Sequence, residues 1–134
     1  MLRQRLLLLA AALWWGSLCA VGFWVVPLLF MHLPSPALAG GMAAKLFSAQ
    51  TWVALACGLS LLVWSRDARA GLTQSVIGLV LGGMLLALLS EFAVAPRIVA
   101  RENLALWHRV GSGLYFLQWL CAGAVLWKVS PPKN

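Results

Sequence analysis

Acidic side chains are nearly absent from this chain: Asp67, Glu91 and Glu102 are the only three in 134 residues. Charge of either sign is scarce, at 10% of residues, against roughly 25% in a soluble domain. So few polar groups cannot cover a water-facing surface, which excludes an ordinary soluble globule and points to a bilayer. Cysteine is limited to Cys19, Cys57 and Cys121, all inside apolar runs. An odd count without motif spacing excludes a disulfide framework. No Ser-His-acid, metalloprotease or nucleotide-binding spacing occurs, so the chain is read as non-enzymatic. The net charge of +7 comes from Lys and Arg scattered at the ends of apolar runs. That is the distribution of membrane flanks, not of a nucleic-acid surface.

What is abundant is apolar length. Four runs, at about residues 6–30, 43–64, 72–95 and 106–128, are long enough for helices to cross a bilayer, which takes about 20 residues each. The expected fold is therefore all-α: one four-span domain over residues 1–134, folded as a membrane-spanning antiparallel four-helix bundle. Short connections force neighbouring helices to run antiparallel. The first run is read as a retained span, because it continues through Trp14, Trp15, Phe23 and Trp24, beyond the roughly 7–15 residues of a signal-peptide core. His32 to Gly41 reads as a turn-rich loop, Ser65 to Gly71 as a tight charged loop, and Pro96-Arg97 as the close of the third span. No longer repeat is visible. Arg3, Arg5, Arg66, Arg69, Lys128 and Lys133 fall on one side, and Lys45, Arg97, Arg101 and Arg109 on the other. Six against four places both termini in the cytoplasm.

In lipid, helices associate through small residues spaced by four. Ala12, Gly16 and Ala20 have that spacing on the first span, Ala54 and Gly58 on the second, and Gly78 and Gly82 on the third. A second line on the third span, Gly83 and Ala87, leads to Glu91. Gly16, Gly78 and Gly82, with Pro27 and Pro96, are the expected structural positions, and Glu91 is expected to point into the bundle.

A carboxylate in hydrocarbon costs several kcal/mol unless it is paired or neutralised. Antiparallel topology brings the end of span one, the start of two, the end of three and the start of four to one side. Those ends carry His32, Lys45, Gln50, Glu91, Arg97, His108 and Arg109. On the fourth span His108, Ser112 and Tyr115 share a helix face. These nine residues are the candidate polar pocket, with Arg97 or Arg109 as the expected cation for Glu91. Two lone histidines leave haem or copper binding open, because imidazole suits both, and similar depths of the three cysteines leave copper(I) open. No residue is assigned as a metal ligand, and no cofactor follows from the sequence.

The blocks WWGSLCAVGFWVVPLLFMHLP, AGGMAAKLFSAQTW, EFAVAPRIVAR and LWHRVGSGLYFLQWL resemble the transmembrane protein 205-like family, catalogued in bacteria as domain of unknown function 4149. The family's Gly and Pro of the first span match Gly16 or Gly22 and Pro27. Its small-residue turn before Lys-Leu-Phe matches Gly40 to Phe47, its Pro-Arg matches Pro96 and Arg97, and its His matches His108. Where the family often has Asn after that His, this chain has Ser112 and Tyr115. The resemblance implies a polytopic membrane protein without settled activity. It also implies a link to metal or solute handling, since animal relatives are linked with platinum-drug resistance. The architecture is more distantly similar to copper-resistance D proteins. The leading functional reading is a membrane protein whose polar pocket binds a small solute, ion or lipid headgroup. The alternatives are a haem or copper protein, and a structural subunit joined to further copies of itself or to a membrane-protein partner.

Overall fold

The structure, a computed structural model, describes residues 1–66 and 72–132. Four helices account for almost all of it: α1 (Leu2–His32), α2 (Pro36–Trp64), α3 (Gln74–Val99) and α4 (Leu104–Val129), each long and apolar enough to cross a membrane. At 1.5 Å per residue, even α3 and α4, with 26 residues each, are about 39 Å long, so their ends overhang a hydrocarbon core of roughly 30 Å. In the bundle α1 packs on α2 and α4, and α3 packs on α2 and α4. Consecutive helices are therefore neighbours, and α1 and α3 stand diagonally opposite.

The first connection is shorter than the sequence suggests. Ser35 caps α2 by accepting a hydrogen bond from the Leu38 N–H at 3.3 Å, and Pro36 opens the helix. A proline is at ease there because the first-turn N–H has no helical partner to lose. The residues Ala37 to Gly41, expected in the loop, are the first turns of α2. Within a bilayer every backbone polar group must be bonded, which holds a Gly pair in helical conformation. The charged loop expected at Ser65–Gly71 lies outside the described residues from Asp67 onward.

Pro96 does not close the third span. Helix α3 runs through it to Val99, after a widened π-helical turn over Ser90–Val94. The same device occurs in α1, where a π turn over Val21–Val25 precedes Pro27. A proline inside a helix has no N–H for the bond to the fourth residue back, and its ring crowds that carbonyl. A π turn opens the ladder at that point. Hydroxyls add bonds beside both π turns: Tyr115 Oη donates to the Leu18 carbonyl at 2.7 Å, and Ser90 Oγ donates to the Leu86 carbonyl at 2.9 Å, which also accepts the Ser90 N–H. The shared pattern Phe-x-Val-x-Pro (Phe23 to Pro27, Phe92 to Pro96) relates the α1–α2 hairpin to the α3–α4 hairpin. It is a short repeat that composition and run lengths do not reveal.

Helix α3 ends in a paired cap: the Arg101 N–H donates to the Ile98 carbonyl at 3.1 Å and the Glu102 N–H to the Arg97 carbonyl at 3.1 Å. This geometry requires a left-handed residue, usually glycine, and here it is Arg101, at φ 56°. Replacing the exposed Arg101 by Gly relieves that strain, which is worth about 1 kcal/mol. The expected result is a small rise in thermal midpoint in detergent; an unchanged or lower midpoint counts against strain at this cap.

The two halves of the bundle differ in packing. Towards the termini, Leu7, Trp14, Leu18, Leu61, Val80 and Val125 are fully buried in one apolar core. Large side chains sit in glycine notches there: Trp14 against Gly83, Met84 against Gly58 and Trp15 against Gly123. Gln4 Nε2 ties the start of α1 to the end of α4 through the Val129 carbonyl at 2.7 Å. The expected contact line Ala12–Gly16–Ala20 faces outward instead, as does Gly78, and open space surrounds Gly16, Gly78 and Gly82. Four-residue spacing of small residues marks a helix stripe without saying which way it faces. The bulk of Trp14 and Leu18 settles that in α1. The lines Ala54–Gly58 and Gly83–Ala87 do face inward.

Candidate functional site

The other half of the bundle is hollow. Between the four helices, at the end of the first and third connections, lies a cavity of about 600 Å³. Its wall is mostly apolar: Phe23, Val26 and Phe30 from α1, Ala43, Ala44 and Phe47 from α2, Val94, Ala95 and Ile98 from α3, and Phe116 from α4. Both π turns lie at its level, and Gly22 and Glu91, equivalent positions in the Phe-x-Val-x-Pro repeat, both line it. In one hairpin the small residue receives the ring of Tyr115. In the other the position carries the carboxyl group.

Glu91 is half-buried, eight residues before the end of α3, or roughly 12 Å in. It accepts a hydrogen bond from Ser48 Oγ of α2 at 2.7 Å. Neither expected cation reaches it. Arg97 pairs instead with Glu102 at 3.9 Å and lies over the Trp107 ring, 4.6 Å from its centroid. That pair is 51% and 61% exposed, and exposed pairs contribute about 0–1 kcal/mol. Arg109 is exposed and does not line the cavity, nor do Lys45 and His32. The reason is geometric. Beyond the π turn, Arg97 lies nearly two turns past Glu91, at the helix end, where its long side chain reaches the interface.

Of the nine candidates, five surround the cavity: Gln50, Glu91, His108, Ser112 and Tyr115. Gln50 is buried and donates to Ser17 Oγ at 2.9 Å, which itself donates to the Trp14 carbonyl at 2.9 Å. Tyr115 stacks edge-on with Phe47, ring centroids 5.3 Å apart. Three residues were missed by the sequence reading. Ser48 is the partner of Glu91, and Thr51 and Gln118 line the deep end. Gln118 is 3% exposed, and its Nε2 has no hydrogen-bond partner among the described residues. The signal for it was present: a lone amide in an apolar run of α4, mirrored by Gln50 in α2, each fourteen residues past the helix start.

The two histidines do not meet at the site, since only His108 lines it. Among the described residues no three of His, Cys, Asp and Glu gather as metal ligands. Cys57 lies in the packed core, and Cys19 accepts from Trp119 Nε1 at 3.1 Å. The arrangement offers one carboxyl group, two deep amides and hydroxyls in a largely apolar wall. That composition fits a binding pocket: cavities of this size, largely apolar with a few placed polar groups, are the usual form of small-molecule sites.

A family model described as a domain of unknown function (DUF4149) matches residues 9–105. That span covers most of α1, all of α2 and α3 and the start of α4, and so most of the cavity wall. No curated protein and no solved structure matches the chain.

Proposed function

The chain belongs to the DUF4149 family, and we propose that it is a non-enzymatic binding protein of the bacterial inner membrane, both termini cytoplasmic, whose cavity holds a small solute, ion or lipid headgroup. The observation that carries this reading is the asymmetry of the bundle. One half is packed by large side chains in glycine notches, while the other keeps a cavity of about 600 Å³ with polar groups only at chosen points. A bundle built for structure alone would fill that space, because each void forfeits packing contacts. The resemblance of the four sequence blocks to the transmembrane protein 205-like family agrees with solute handling. A structural-subunit reading draws support from the outward-facing Ala12, Gly16, Ala20 and Gly78, since small residues on a lipid-facing surface suit close helix contact.

The test is to fill the cavity. Ala95 lines it from α3 and is half-buried. The full chain, purified in mild detergent and examined by native mass spectrometry, is expected to carry a small-molecule adduct that Ala95→Phe loses. Identical adduct patterns in the two proteins, both monodisperse, would sink the binding reading.

A further inference from the structure

We infer that the occupant is a monovalent organic cation with an apolar body, an amphipathic amine or quaternary ammonium or phosphonium compound, held against Glu91. This inference rests on the binding reading above and goes further by naming the ligand class. Four observations carry it.

First, among the described residues Glu91 supplies the only carboxyl group on the cavity wall, and no Lys, Arg or His of them pairs with it. Its one polar contact is Ser48 Oγ at 2.7 Å. A carboxylate accepts at several lone-pair sites, so Ser48 orients the group and leaves capacity facing the cavity. Second, the cations at this end of the bundle are engaged or turned away. Arg97 is held by Glu102 and Trp107, while Lys45, Arg101 and Arg109 are exposed outside the wall. Of the charged and titratable groups on the four packed helices, Glu91, His108 and Tyr115 line the cavity. Among the described residues, no Lys or Arg stands on the wall beside Glu91. Third, Phe23, Phe30, Phe47, Tyr115 and Phe116 stand on the wall. Ring faces attract cations, more strongly once water is removed. The same wall argues against a bare divalent ion, which takes six or more oxygen ligands, or near-octahedral coordination with several waters, where this cavity offers one carboxyl group. Fourth, the buried Gln118 Nε2 at the deep end has no partner. An unpaired buried donor calls for an acceptor, and an oxygen on the guest's apolar body supplies one.

The experiment uses two ions of matched shape and opposite charge, tetraphenylphosphonium and tetraphenylborate. Binding of each to the full chain in detergent is measured by equilibrium dialysis, with Ala95→Phe as the baseline for micelle partitioning. The wild type is expected to favour the phosphonium by about tenfold or more, the effect of one modest charge interaction. Glu91→Gln is expected to bring the ratio to near parity, and Glu91→Asp to restore part of the preference. Ser48→Ala, acting through the carboxyl group's orientation, is expected to reduce the ratio without reversing it. A second measurement needs no variant. Tetraphenylphosphonium is expected to slow labelling of Glu91 by dicyclohexylcarbodiimide, and tetraphenylborate is not. Equal binding of the two ions, an undiminished preference in Glu91→Gln, or equal labelling rates would each overturn the cation assignment. If neither ion exceeds the baseline while the native adduct is still lost in Ala95→Phe, the ligand class falls and the binding reading stands. If that adduct difference is also missing, both fall.

Discussion

Gly83→Ala lowers the thermal midpoint of the detergent-purified protein by on the order of 10 °C, the shift expected of two to three kcal/mol in a chain of this size. The added Cβ would lie 2.6 Å from Trp14 Cη2 and 2.7 Å from Cζ2. Those are atoms of a rigid ring that is 0% exposed, so neither a rotamer change nor a retreat to lipid is open to it. Forcing a methyl group into a filled core costs about 1–3 kcal/mol and sometimes more. The other notches are more forgiving. At Gly58 the obstacle is the flexible end of Met84, and at Gly123 it is the half-buried Trp15. Gly78→Ala is the control: it is exposed with open space around it, and alanine favours a helix over glycine by about 0.5–1 kcal/mol. It leaves the midpoint unchanged or slightly raised. Trp14→Phe in the Gly83→Ala background removes the colliding ring atoms. The double variant is therefore expected to lose less than the two single losses added, with a coupling of about 0.5–3 kcal/mol. If Gly83→Ala and Gly78→Ala melt together, the notch does not hold the bundle.

The failures of the sequence reading share one physical origin. Span number, helical class and the inward face of Glu91 were legible because they depend on long-range hydropathy and on the cost of an isolated charge in lipid. Which side of a helix faces its neighbours was only partly legible. Ala12, Gly16 and Ala20 have the spacing of a contact line, yet Trp14 and Leu18 occupy the interior, because a bulky side chain set in a partner's glycine notch buries more surface than two small residues can. Pro96 looked like a terminator since proline ends helices in water. Lipid penalises every unbonded backbone group, so α3 accepts a π turn and continues to Val99. The partner of Glu91 was sought among cations, whereas Ser48 hydrogen-bonds it. A serine carries little weight in any composition count, and only the crossing of α2 with α3 gives it meaning. Gln118 was visible as an isolated amide, but its lack of a partner is a property of three-dimensional packing and leaves no trace in the sequence.

Gln118→Leu raises the stability of the empty protein and weakens its hold on the native adduct, two effects of opposite sign from one substitution. The amide is 3% exposed, and its Nε2 has no partner. A buried donor left unsatisfied costs about 1–3 kcal/mol, whereas leucine carries no donor and suits the apolar wall around it. The thermal midpoint of the ligand-free protein is therefore expected to rise by roughly 5 °C. Gln50 supplies the comparison, because it has the same chemistry at the matching depth of α2 but a different environment. Its Nε2 donates to Ser17 Oγ at 2.9 Å, and Ser17 in turn donates to the Trp14 carbonyl. Gln50→Leu breaks a satisfied chain and is expected to lower the midpoint by a few degrees, since a net hydrogen bond is worth about 0.5–1.5 kcal/mol. Two glutamines of equal burial thus respond in opposite directions. Gln118 lines the cavity, where an acceptor on the guest can reach its free amide, so adduct occupancy by native mass spectrometry is expected to fall in Gln118→Leu. A Gln118→Leu protein that melts below the wild type would mean the amide is already bonded, and the cavity would then lose its deep polar anchor.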